Sequence, residues 1–99
     1  MKVLNLNSKE LLDTASMLKV LGHPIRISIV GLLEESPRMS VTEIFKALRI
    51  NQAIASHHLN ALKNKRVLSS ERVGKNIYYY VSHVGLIAVL KFVCDCRKT

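Results

Sequence analysis

A mainly α-helical domain carrying one small β-hairpin is the fold class this sequence predicts, and three observations predict it. Apolar residues recur at helical spacing in four stretches punctuated by capping residues, Gly and Pro, and a fifth stretch at the C-terminus is apolar almost all round. Between residues 67 and 82 the pattern changes to β-formers around a tight Gly-containing reversal. The whole chain is 99 residues with 48% hydrophobic residues, which makes one domain, residues 1–99, with a core that burial against a second copy would strengthen. The expectation is about five helices plus a two-stranded hairpin, assembled as a dimer.

In chain order, Asn7 followed three residues later by Glu10 has the form of a capping box. Leu11, Leu12, Ala15, Leu18 and Leu21 then mark the inner face of a first helix that Gly22 ends. Pro24 suits the first turn of a second helix, whose stripe of Ile25, Ile29, Leu32 and Leu33 runs to the stop at Glu34-Glu35-Ser36-Pro37. Ser40-Val-Thr-Glu43 is another capping box. It opens a short third helix through Leu48, with Ile44, Ala47 and Leu48 inward.

Only Arg49 and Ile50 separate that helix from Asn51, a good N-cap for a fourth helix over residues 51–64. Ile54, Ala55, Leu59 and Leu62 supply its apolar stripe, and Gln52, Ser56, His57 and Asn60 supply a polar face without a single acid. Amides, hydroxyls and imidazoles can match donor and acceptor patterns on base edges, where a carboxylate would be repelled by the phosphates. A short helix, a tight turn and a polar-faced helix form a helix-turn-helix, although the turn lacks Gly. His57 and His58 project about 100° apart and cannot chelate one ion together, so one faces outward and the other packs or caps.

Val67–Arg72 and Ile77–Ser82 read as the two strands of a hairpin spanning residues 67–82, with Val73-Gly-Lys-Asn76 between them. Lys75 sits at its tip and Arg72 beside it. A cationic hairpin next to a recognition helix is a wing suited to phosphates or to the minor groove. Tyr78, Tyr79 and Tyr80 are expected to pack and pair across strands rather than stack on bases. The last segment, residues 83–97, is too short for a membrane span and too apolar for an exposed helix. It is expected to be a dimerisation helix, with help from the first.

Charge points the same way. Fifteen Lys and Arg against seven Asp and Glu give a net charge of +8, which favours a polyanionic partner, nucleic acid or an anionic membrane surface. From Lys46 to Lys75 the basic residues are Lys46, Arg49, Lys63, Lys65, Arg66, Arg72 and Lys75, against Glu71 alone. The anion-binding surface should lie there. No apolar run approaches a membrane span and the N-terminus lacks a signal-peptide layout, so a cytoplasmic protein with no membrane role is expected. Cys94 and Cys96 close no long loop and do not form a disulfide framework. With no acid pair, no Gly-rich phosphate loop and no activated nucleophile, neither an enzyme nor a catalytic residue is expected.

Leu21-Gly-His-Pro-Ile-Arg26, Ser40-Val-Thr-Glu-Ile44, Gln52 to Leu59 ending Ser-His-His-Leu, and Gly74 to Tyr79 ahead of a terminal helix together resemble the ArsR/SmtB family of bacterial repressors, from about Leu18 to Val81. The resemblance implies a homodimeric winged helix-turn-helix repressor that leaves DNA when an inducer binds. It makes Gln52, Ala53, Ser56 and His57 the base-facing residues, with Ala53 replacing a commonly hydroxylated one. The family's metal sites transfer badly. Ser40 and Thr42 stand where thiolates would start the third helix, and the terminal-helix site falls on His83, Gly85, Cys96 and Thr99 with Cys94 close by, so His83, Cys94 and Cys96 alone remain as candidate ligands.

The expected function is thus a sequence-specific DNA-binding transcriptional regulator, a repressor that binds a palindromic operator as a homodimer. Its double-stranded DNA would be held by Asn51, Gln52, Ala53, Ser56, His57, Lys63, Arg72 and Lys75. No cofactor or functional metal is expected, and the inducer is left open among metal, redox signal or none. The other class is a winged-helix protein-interaction module without a DNA role, for which the cationic wing would be unnecessary.

Overall fold

A computed structural model describes residues 7–98 and contains five helices and a three-stranded antiparallel sheet: α1 Ser8–Val20, α2 Pro24–Glu35, β1 Met39–Ser40, α3 Val41–Leu48, α4 Gln52–Asn64, β2 Leu68–Val73, β3 Asn76–Val81 and α5 Gly85–Cys96. Residues 1–6 and Thr99 lie outside the described part of the expected 1–99 domain.

Side-chain caps set most of the helix starts. The Asn7 side chain accepts the Glu10 N–H at 2.8 Å, and Glu10 receives the Asn7 amide rather than its backbone. His23 Nδ1 accepts the Ile25 N–H at 3.1 Å one residue ahead of Pro24. Ser40 and Glu43 make the reciprocal box, Glu43 N–H to Ser40 Oγ at 3.1 Å and Ser40 N–H to Glu43 Oε1 at 2.9 Å. These bonds, the backbone one first, hold the Glu43 carboxyl below the usual carboxylate range. Asn51 caps α4 by accepting the Ile54 N–H at 2.8 Å. By contrast α5 begins without a side-chain cap.

The ends of α3 and α4 are unusual. Arg49 ends α3 at φ 57 and Arg66 follows α4 at φ 61, both in the left-handed region that glycine usually occupies. Each helix then closes with the paired end bonds of a Schellman motif: Ile50 N–H to the Phe45 carbonyl with Arg49 N–H to that of Lys46, and Val67 N–H to Leu62 with Arg66 N–H to Lys63. This is how the helix-turn-helix makes its turn without glycine.

The sheet order is β1-β3-β2. Residues 73 and 76 pair at the end of the β2–β3 ladder, so Gly74 at φ 62 and Lys75 form the reversal. β1 extends the expected two-stranded hairpin to three strands, with Met39 opposite Tyr79 and Ser40 opposite Tyr78. Two residues carry no periodicity, which is why this strand is invisible in the sequence. Tyr79 points inward and is buried, while Tyr78 and Tyr80 are half-buried on the other face, with the Arg38 guanidinium 5.4 Å from the Tyr80 ring centre.

Ile29, Val30, Leu33, Ile44, Leu59, Leu62, Val67 and Leu68 make the innermost core, contributed by α2, α3, α4 and the entry to β2. Four details differ from expectation. Val30 joins the α2 stripe while Ile25 and Leu32 are only half-buried; Ala47 and Ile54 are exposed rather than inward; and of the first helix only Val20, with Leu21 at its cap, is buried. Leu11, Leu12 and Leu18 lie open, Leu12 at 72% exposure, because no described element of the same chain covers that side of α1. On α5, Leu86, Ile87 and Leu90 pack against the core while Val89, Phe92 and Val93 face away, Phe92 at 69% exposure.

Candidate nucleic-acid interface

Helix α4 divides its residues sharply. Ala55, His58, Leu59 and Leu62 face the core, and Asn51, Gln52, Ala53, His57 and Asn60 are exposed with Ser56 half-buried. Core residues at helical spacing fix the rotation of the helix about its axis, so they also fix which side chains it offers outward.

The wing lies against that outward face. Gln52, Ser56 and Asn60 line one cleft of about 350 Å³ together with Thr42 of α3 and Lys75 and Asn76 of the hairpin. The structure thus brings Gln52, Ser56 and Lys75 into one site. Arg72 is exposed on β2 one position before the Val73–Asn76 pair, with its Nε 3.4 Å from the Gly74 carbonyl oxygen. Ala53 and His57 are exposed on α4 without lining this cleft, and Lys63 is exposed in its last turn.

The two adjacent histidines part as their geometry requires. His57 is exposed. His58 is 6% exposed and its Nδ1 accepts the Arg26 Nε–H at 3.1 Å, while Arg26 Nη1 donates to the Val20 carbonyl at 3.2 Å. The His23 ring lies 4.5 Å from that of His58, and the His57 ring 5.3 Å. Burial, then the charges of His23, Arg26 and His57, push the His58 pKa down from its ordinary 6.5, so the ring is neutral near pH 7. Arg26 therefore ties the end of α1, α2 and α4 together. Nothing in the periodicity pointed to Arg26 or His23, because the bond to His58 spans 32 residues. Asn60 and Asn76 also join the site; Asn60 was already legible as part of the polar face of α4.

Metal donors do not assemble. Ser40 Oγ already caps α3, Thr42 offers only a neutral hydroxyl, and among the described residues no three His, Cys, Asp or Glu side chains stand close enough to hold an ion. His83 lies in the link between β3 and α5, and Cys94 and Cys96 are exposed in the last turns of α5. The described residues of one chain thus do not bring a closed set of metal ligands together. No single helix among the described residues is long and apolar enough to cross a membrane.

Comparison with known proteins places the sequence and the fold. The model of bacterial regulatory proteins of the arsR family matches residues 23–70, which run from the cap of α2 into β2. The transcriptional repressor PagR of Bacillus anthracis is 34% identical over 81 residues, covering 82% of this chain and 81% of PagR. Its crystal structure is similar with a TM-score of 0.80 over 88% of this chain and 99% of that one. The transcriptional repressor SmtB of Mycobacterium tuberculosis is 39% identical over 87 residues, 82% of this chain and 64% of SmtB. The solution structure of Mb0332 from Mycobacterium bovis, described as a homodimeric winged helix-turn-helix DNA-binding domain, is 26% identical with a TM-score of 0.79, covering 89% of this chain and 81% of that one. This chain belongs to the arsR family of bacterial regulatory proteins.

Proposed function

We propose that the protein is a transcriptional repressor that binds double-stranded DNA in the cytoplasm as a homodimer, with α4 in the major groove and the β2–β3 turn on the backbone beside it. The observation that carries this reading is the single outward face on which Gln52, Ser56 and Asn60 share a cleft with Lys75, in the most basic third of the chain. PagR and SmtB are named as repressors, and Mb0332 as a homodimeric DNA-binding domain.

In this reading Gln52, Ser56 and His57 offer hydrogen bonds to base edges, while Lys63, Arg72 and Lys75 neutralise phosphates. Asn51 acts mainly through the cap that holds the first turn of α4. The exposed apolar residues of α1 and α5 support the dimer. Leu11, Leu12 and Leu18 on one helix and Val89, Phe92 and Val93 on the other are covered by no described element of this chain, and a two-fold partner would cover both. The pairing presents two recognition helices to a palindromic operator.

The test is selection of bound sites from a random DNA pool, followed by affinity measurement across a salt series. A palindromic consensus is expected, with log affinity falling by about 0.9 per log unit of salt for each phosphate neutralised. No enriched sequence, or an affinity indifferent to salt, would exclude the reading and leave a protein-interaction role.

A further inference from the structure

We propose that Ile54, with Ala53 beside it, reads the C5-methyl group of thymine in the major groove, so that each operator half-site holds a required thymine opposite the first turn of α4. The proposal rests on the DNA-binding reading above and adds to it a specificity determinant that polar-face reasoning overlooks.

An isolated exposed isoleucine is ordinary on any protein surface. Ile54 differs in where it is placed. It is the third residue of α4 and is 42% exposed, although the apolar pattern assigned it to the core with Ala55; Ala55 does face inward, and His58 joins it there. The N-terminal residues of a recognition helix are those that reach base edges. The backbone there is held in place, because the Ile54 N–H donates to Asn51 Oδ1 at 2.8 Å.

The outward face of α4 then has two unlike edges. Gln52, Ser56 and Asn60 border the cleft shared with the wing and can donate and accept. Ala53 and Ile54 precede His57 by four and three residues and so flank it, Ala53 toward the middle of the outward face and Ile54 at the edge away from the wing, and neither side chain can make a hydrogen bond. Setting such an edge against a base edge that offers only donors and acceptors would leave those groups desolvated and unpaired. The major-groove code contains one apolar feature, the thymine methyl, and alanine and other methyl-bearing side chains are its usual partners. Ile54 offers a larger apolar surface than Ala53 and is the better anchor. Polar readers toward the wing and methyl readers beside His57 give a composite code within about two and a half turns of helix.

Replacing thymine by uracil removes only the C5-methyl and leaves every hydrogen-bonding group, which isolates the contact. The experiment uses the full-length protein and duplexes bearing its selected site, with each thymine of a half-site changed to uracil in turn, against wild type, Ile54→Ala and Ile54→Val. One uracil position per half-site is expected to weaken wild-type binding about fourfold, the effect of losing one buried methyl-sized group. Ile54→Ala should bind the thymine site more weakly and discriminate thymine from uracil at that position less, with Ile54→Val between them. If no uracil position matters while the site is still bound in preference to random DNA, the methyl contact is excluded and the DNA-binding reading stands. Equal thymine-to-uracil ratios in wild type and Ile54→Ala would likewise exclude Ile54 as the reader. A protein with no sequence preference at all would overturn both.

Discussion

The two broad surfaces of this molecule are built on opposite plans. On the α4 and wing side the chain completes itself: caps close the helix starts, Schellman bonds close the ends of α3 and α4, and the buried His58 has its donor in Arg26. On the α1 and α5 side large apolar residues stand in solvent, and α5 has no fully buried residue. One surface is finished by the chain's own residues; on the other the described residues leave Leu12, Phe92 and their neighbours uncovered. The difference teaches where stability comes from. In the proposed dimer, base reading would belong to the fold of one chain and the spacing between two readers to the interface.

The strongest way to break this contrast is to charge the open side. Leu90 packs partly against the core, so a charge there would disturb the fold and the dimer together; Phe92 faces outward and is the cleaner target. Phe92→Glu is expected to give a folded monomer at micromolar concentration by sedimentation, with unchanged helical circular dichroism. Operator affinity should drop by about 10²-fold or more, since the second half-site no longer benefits from the first. A dimer that survives both Phe92→Glu and Leu12→Glu would show that these faces are not the interface.

Changes on the finished side should be smaller and should separate by role. Gln52→Ala is expected to cost about 1–3 kcal/mol on the selected site and little on random DNA, because a base contact carries sequence information. Lys75→Ala should weaken all DNA about equally and reduce the salt slope by about one. Both are read from filter or fluorescence titrations at several salt concentrations. Loss in the same proportion on specific and random DNA for both variants would remove the assigned roles.

The same contrast explains how much could be read from the residues alone. Caps act over three residues, so Asn7, Ser40 and Asn51 were legible, as was the hairpin whose Gly74 takes φ 62. The polar face of α4 followed from its periodicity. β1 was not legible, since a two-residue strand exists only through its pairing with Tyr78 and Tyr79. The Arg26–His58 bond was equally hidden, because a contact spanning 32 residues is a product of the fold. Ile54 and Ala47 were misplaced for a related reason. Amphipathic patterns count apolar residues without knowing how wide a stripe the neighbours will cover, and α4 covers only the width set by Ala55, His58, Leu59 and Leu62.

A weaker perturbation of the finished side is acid. His58 is depressed below its ordinary 6.5, so its neutral form is favoured by folding. Between the folded and unfolded pKa values the unfolded chain binds more protons; stability is therefore full above about 6.5 and declines as pH falls below it. The physical event is a proton arriving at Nδ1, where Arg26 already donates. The wild type should lose melting temperature from pH 7 to 5.5. His58→Gln keeps an acceptor for Arg26 without a titrating ring, and its melting curve should be flatter across that range. A wild type and variant with parallel pH profiles would show that the cluster titrates elsewhere.

The smallest expected effect tests the turn that joins α3 and α4. Arg49 holds φ 57 and ψ 43, a conformation that costs a residue bearing a Cβ roughly 1 kcal/mol or more. Glycine adopts it freely, so Arg49→Gly should stabilise the fold by about 0.5–1 kcal/mol and raise the melting temperature by a few degrees. Arg49→Ala keeps the Cβ and should bring no such gain. The charge is what arginine contributes in exchange. Arg49 is exposed in the turn that enters α4, where backbone and side chains meet phosphates in this kind of fold. Both variants should therefore lose DNA affinity without changing base preference, and both should lower the salt slope by about one. A glycine variant that is more stable and binds as tightly would mean that Arg49 holds its left-handed backbone for no purpose at the DNA, and that the cationic surface begins only at α4.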